Sequence, residues 1–193
     1  MATRLLTLIL MLLIGHYAMA TEEPTFEVLA ETEDYEVRRY DAYIVAEVDV
    51  DGKSADNQGF RTLAGYIFGD NESSEKMQMT APVESRDAGK SDEITYGFVM
   101  ESKYTLETLP TPNNEHIRLF ERPSRIVAVR QFSGRWSQEN ISKHEESLLK
   151  ALADDGISLT GDVELARYDP PFKPWFLRRN EVMVPIRWPA NSP

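Results

Sequence analysis

The chain of 193 residues contains no cysteine. That excludes disulfides, thiolate nucleophiles and cysteine-ligated metals together. Histidine is nearly as scarce. Of three, His16 falls in an apolar leading segment, so His116 and His144 remain, and no His-x-x-x-His spacing puts two ligands on one helix face. No Gly-x-Ser-x-Gly elbow is present. Basic charge is short as well: 21 Lys and Arg stand against 32 Asp and Glu, a net charge of −11. An acidic chain repels phosphate backbones and anionic lipid, which argues against nucleic-acid binding and against docking on a membrane surface. The longest apolar stretch, residues 5–14, is too short for a hydrocarbon core of about 30 Å.

That stretch has another reading. Arg4 precedes it and Ala18-Met19-Ala20 follows, the order of a secretory signal cleaved after Ala20. The expectation is residues 1–20 as a cleaved signal and residues 21–193 as one mature domain, secreted across the inner membrane into a Gram-negative periplasm, with no stable membrane insertion afterwards. Without Arg4 the charge becomes −12. Lacking disulfides, the domain must rest on its own core, and 173 residues suffice for one.

Periodicity then sets the organisation. Residues 35–40 and 43–50 read as strands joined by a turn at Asp41-Ala42, with Ile44, Ala46, Val48 and Val50 alternating to one face. Ser54 reads as the N-cap of a helix over 55–68, whose Phe60, Leu63, Ala64 and Ile67 form one apolar stripe ending at Gly69. Strands are expected over 78–83 and 94–100. After a polar, proline-containing connection at 108–115 the pattern restarts: strands over 117–121 and 125–132, a helix from a Ser137 cap to about 154, and strands near 162–168 and 181–187. The recurrence predicts an α+β, internally duplicated fold with halves at about 26–107 and 116–188.

Several motifs have simple readings. Gly52-Lys53-Ser54 between strand and helix is a turn and cap, because Glu47 stands where a phosphate-binding loop needs glycine. Met77 and Met79 share a strand face in the expected pairing. They read as core filler rather than as copper ligands. Carboxylate runs such as 31–34 and 154–155 read as solvated surface.

The most specific segment is Asp169 to Ile186, DPPFKPWFLRRNEVMVPI. Pro170, Pro171 and Pro174 forbid helix and central strand there, so the aromatics sit on a stiff loop. Together with KMQMTAPV at 76–83, YEVRRY at 35–40, YIFGDN at 66–71 and FSG at 132–134, this segment resembles the signatures of the SOUL heme-binding protein family. The resemblance spans about residues 26–188. It implies a pseudo-twofold, distorted antiparallel β-barrel of about eight strands flanked by two α-helices. It also implies a heme or other tetrapyrrole ligand in an apolar cleft along the first helix. Phe60, Arg61, Leu63, Ala64 and Ile67 are its expected lining, and Lys173 matches a basic position of the proline loop. Some members carry a histidine where Arg39 stands, so that iron ligand is absent and no metal site is expected. His144, on the stripe of the second helix, is the weak candidate axial ligand, and its simpler reading is a ring bonded locally. Arg178 and Arg179 read as loop braces ahead of anion clamps.

The resulting expectation is a non-enzymatic tetrapyrrole binder, a carrier or buffer. Two readings stand beside it: an apolar-ligand or protein-interaction module of the same fold, and a tetrapyrrole-modifying enzyme. Protein partners are not legible.

Overall fold

The computed structural model describes residues 21–51, 55–89 and 93–188. Residues 1–20, the expected signal, and the Ser54 cap lie outside them. Ten strands form one antiparallel sheet: β1 Phe26–Glu31, β2 Glu36–Tyr40, β3 Tyr43–Asp51, β4 Val83–Asp87, β5 Glu93–Val99, β6 Arg118–Arg122, β7 Arg125–Phe132, β8 Ser158–Leu159, β9 Glu164–Arg167 and β10 Asn180–Arg187. Helix α1 is Ala55–Ile67 and α2 is Gln138–Asp154. The pairing path runs β1-β2-β7-β10-β9-β4-β5-β3-β6, with β8 beside β10. Setting aside edge strand β1 and the short β8, the order β2-β7-β10-β9 mirrors β6-β3-β5-β4 across the central β4–β9 pair. The strand order is thus symmetric about that pair. The two added strands account for the difference from eight.

Local signals explain most boundaries. Ser137 caps α2 by accepting from the Asn140 N–H, and Gly156 beyond it adopts φ +69°. The expected strand over 78–83 does not form; β4 begins at Val83. The backbone N–H groups of Gln78 and Ala81 go to the Glu101 carboxylate and the Glu22 carbonyl instead of to a ladder. With its donors used elsewhere, the segment is irregular.

Both helices lie on one face of the sheet, and each covers its own core. Leu63, Ala64, Tyr66 and Ile67 of α1 pack on Ala46, Val48, Val50, Tyr96 and Phe98. Leu148 and Leu152 of α2 pack on Val37, Ala128, Val182, Val184 and Ile186. Helix α1 sits close enough to β5 that a Cβ at Gly59 would stand 2.5 Å from the Tyr96 ring. Gly59→Ala should gain about 1 kcal/mol of helix propensity yet destabilise overall by about 1–3 kcal/mol through overpacking. Urea unfolding checks the sign, and a stabilised variant would show that α1 can lift off the sheet.

The opposite, concave face holds an ionic core that reading the sequence missed. Glu47, Glu84, Glu164 and Glu181 are buried there with Arg38 and Arg122. Arg122 reaches Glu84 at 2.7 Å, Glu47 at 2.5 Å and Glu164 at 3.3 Å. Arg125 grips Glu164, and Arg86 grips Glu47, each through two bonds. Arg122 on β6 and Glu164 on β9 are four strands apart along the path, so their contact requires a sheet curled into a half-barrel. Gly97 leaves room for this core, since a Cβ there would meet Val45 at 3.2 Å and Glu84 at 3.5 Å. Glu181 is enclosed by Arg38, Tyr168 and Arg179.

At the rim Arg118 holds Asp49 bidentately at 2.7 and 2.9 Å. That bond, opposed by burial, takes the Asp49 carboxyl down to about 2 from the usual 3.8. A depressed folded value contributes stability that is complete above pH about 4 and lost as pH falls toward 2. Solvent screening at this half-exposed pair reduces the expected contribution to about 1 kcal/mol. Arg118→Ala should flatten the acid limb of the stability curve between pH 4 and 2. An unchanged limb would place the loss at other carboxylates.

Candidate functional site

Because α1 packs on β3 and β5 and α2 on β7 and β10, the outer face of β4 and β9 lies between the two helices. Val83, Ser85, Leu165 and Arg167 are all half-buried there. From β5 to β10 is three interstrand spacings, about 14 Å. The strip carries a row of alternating rings and cations. The Arg167 guanidinium lies 5.4 Å from the Tyr96 ring and 5.5 Å from the Trp136 ring, and the Arg178 guanidinium stands 4.4 Å from the Trp136 ring. Tyr96 is the residue against which Gly59 of α1 packs. The row therefore runs from α1 across the strip to the proline loop. Trp136 is fixed by donating its indole N–H to buried Asn180 at 2.6 Å. Cation–π stacking of this kind orients guanidinium planes and keeps their charge.

The loop over 169–179 forms one wall. Arg178 donates to the Lys173 and Pro171 carbonyls, which confirms its role as a brace. Asp169 accepts from the Arg179 backbone N–H and from Lys173 at 2.7 Å. Those bonds hold the Asp169 carboxyl below its usual range although burial opposes them. A single 3-10 turn at Trp175–Leu177 completes the loop.

The expected lining residues do not stay together. Leu63 is 0% exposed, and Ala64 and Ile67 are also enclosed by the core under α1. They anchor the helix to the sheet rather than line an open groove, because an amphipathic stripe finds its burial against the nearest apolar face. Phe60 is 41% exposed and packs edge-on against Phe98 at 5.4 Å, and Arg61 is exposed. These two remain at the wall that α1 offers. Lys173 is committed to Asp169. Trp136 and Arg167 were missed. Their signal was present as a tryptophan following the FSG turn and an arginine inside the apolar run 165–168.

His144 lies under α2, stacked on Phe132 at 4.3 Å and 18°. Burial, with Arg130 and Lys143 nearby, lowers its pKa and favours the neutral ring. Arg39 is exposed and paired with Glu27. Among the described residues, no group of three His, Cys, Asp or Glu side chains is placed to hold a metal ion.

A separate cleft of about 720 Å³ opens between residues 22–25, the start of β3 and residues 99–107. Glu22, Glu23, Asp41, Glu101, Glu107 and Glu121 line it, with no Lys or Arg. Such a lining repels a dicarboxylate, whereas the strip between the helices carries guanidinium groups.

A family model described as SOUL heme-binding protein matches residues 21–185. Heme-binding protein 1 of Mus musculus is 29% identical over 159 residues, covering 78% of this chain and 83% of the relative. Heme-binding protein 2 of Homo sapiens is 30% identical over 163 residues, covering 76% and 79%. Among solved structures, the EcmrR C-terminal domain superposes with a TM-score of 0.59 at 12% identity, covering 79% of this chain and 98% of that one. A hydrolase from Listeria innocua gives 0.59 at 12% identity, covering 82% and 94%. Likeness at that identity speaks for the fold alone. The family match over residues 21–185, with relatives near 30% identity, places the chain in the SOUL heme-binding protein family.

Proposed function

We propose that the protein is an exported, non-enzymatic binder of heme or a related tetrapyrrole, a carrier or buffer, and that the ligand sits on the strip between α1 and the 169–179 loop. The observation that carries this reading is the row Tyr96–Arg167–Trp136–Arg178 beside exposed Phe60 and Arg61. A porphyrin is a flat apolar disc with two carboxylates. Phe60 and Trp136 offer ring surface to the disc, and Arg61 and Arg178 offer cations to its edge. The relatives are named for heme binding, which supports the ligand class.

Titration of the mature protein with heme and with iron-free porphyrin tests it. Trp136→Ala and Phe60→Ala should each weaken both ligands about tenfold, the loss of one stacked ring, about 1.4 kcal/mol. Wild-type affinity in both variants would move the site off this strip. No histidine lies on the strip, so heme and porphyrin should bind within about tenfold of each other. His144→Ala should leave the Soret band in place. Loss of heme affinity in that variant, with porphyrin affinity kept, would make His144 the iron ligand. Export is checked by N-terminal sequencing of secreted protein, which should begin at Thr21.

A further inference from the structure

The proline loop carries a second surface at its tip. Phe172 is 87% exposed, and Trp175, Phe176 and Leu177 stay exposed beside it. Side chains like these normally fold back onto the protein. Here Pro170, Pro171 and Pro174 fix the backbone. The Lys173 N–H bonds the Pro170 carbonyl, the Leu177 N–H bonds the Pro174 carbonyl, and Arg178 clamps the Pro171 and Lys173 carbonyls. Gly134 ties the turn to β7 by donating to the Trp175 carbonyl. The apolar tip is held out rigidly, so little ordering entropy opposes its burial in a partner.

Charge at the tip differs from charge elsewhere. The segment 167–179 holds four basic residues and one acid, Asp169; Lys173 pairs with Asp169, and Arg179 with Glu23 and Glu181. Arg178 uses neutral carbonyls, and Arg135 stacks over Trp175 at 5.5 Å. Among the described residues neither has a carboxylate partner, so both positive charges stay available. Six carboxylates of the overall acidity that argued against lipid binding line the separate cleft, and the one that reaches this loop, Glu23, is paired with Arg179.

We propose that this tip docks the protein on the interfacial layer of a phospholipid bilayer with anionic headgroups. Trp175, Phe172 and Phe176 enter the headgroup–acyl boundary, where tryptophan and phenylalanine partition well, and exposed Arg135 meets the phosphates. The docking is peripheral and reversible, since no helix among the described residues is long and apolar enough to cross a membrane. It needs no tetrapyrrole.

The test uses ligand-free mature protein with vesicles of phosphatidylcholine, and of phosphatidylcholine mixed with phosphatidylglycerol, followed by co-sedimentation and tryptophan emission. Wild-type protein should bind the mixed vesicles, with a blue shift and an affinity that falls as salt rises. Phe172→Ser with Phe176→Ser should weaken that binding at least about tenfold. Arg135→Glu should weaken it at least about fivefold on the mixed vesicles and leave phosphatidylcholine alone unchanged. Both positions are exposed, and circular dichroism should confirm folding. Heme titration of the double variant should match wild type, which separates this surface from the strip. No binding of wild type to mixed vesicles, or equal binding by the double variant, overturns the proposal. A concentration-dependent dimer that the double variant abolishes assigns the tip to a second copy of the chain and overturns it equally.

Discussion

Arg122→Met is expected to remove about 3–5 kcal/mol of stability, a large part of the margin of a domain this size. Arg122 is buried and contacts three buried carboxylates, Glu47, Glu84 and Glu164. Two of them have a second guanidinium, from Arg86 and Arg125. Among the described residues, Glu84 has beside it the Tyr43 hydroxyl, which donates to it at 2.9 Å, and no second guanidinium bonded to it. Burial already pushes the Glu84 carboxyl upward against the pull of Arg122. With the arginine gone, Glu84 must take a proton or stay charged without its counterion, and either outcome costs free energy. The attraction within the wild-type pair does not make it a strong net stabiliser, because desolvation opposes it. The cost arises from leaving the remaining charge behind. Adding Glu84→Gln to Arg122→Met should therefore recover part of the loss, and urea midpoints at constant slope measure both steps. A loss below about 1 kcal/mol in the single variant would mean that water reaches the concave face.

Leu63→Ala should cost about 2–5 kcal/mol. Leu63 is fully enclosed between α1 and the sheet, and Ala46, Tyr96 and Phe98 of the same core sit on a rigid strand framework that cannot collapse far into the space left. Leu63→Asp should not fold, since an unpaired carboxylate would enter that core. Thermal unfolding of the alanine variant checks the first expectation. Porphyrin affinity of its folded fraction should equal wild type if the ligand sits on the strip. Unchanged stability with lost porphyrin binding would restore the α1 stripe as the ligand wall.

How much was legible follows from the kind of signal each element left. Strand β7 and the body of helix α2 carry clear periods and a Ser137 cap, and the chain folds there as the pattern indicates. Segment 78–83 has strand-like alternation, but its donors bond a side chain and a loop carbonyl distant in sequence. Edge strand β1 has a bulge between Val28 and Ala30, which breaks the alternation by which a strand is recognised. The stripe Phe60–Ile67 forms one face of a helix as its spacing indicates, and the sheet covers Leu63, Ala64 and Ile67 of it. Periodicity shows that a face will be covered, not whether protein or ligand covers it.

The sequence by itself determined the elements, their α+β order, the family signatures and the stiffness of the proline loop. Each of these rests on backbone sterics, short-range capping or residue spacing, which act within a few residues. Tertiary structure alone decided which side of the sheet is ionic, that β4 and β9 lie between the two helices, and that Trp136, Arg167 and Arg178 meet. Glu47, Glu84 and Glu164 are separated by 37 and 80 positions in the chain, and only curling of the sheet brings them to one arginine. Such contacts depend on register and curvature summed over the whole sheet, and no local stretch of sequence carries that information.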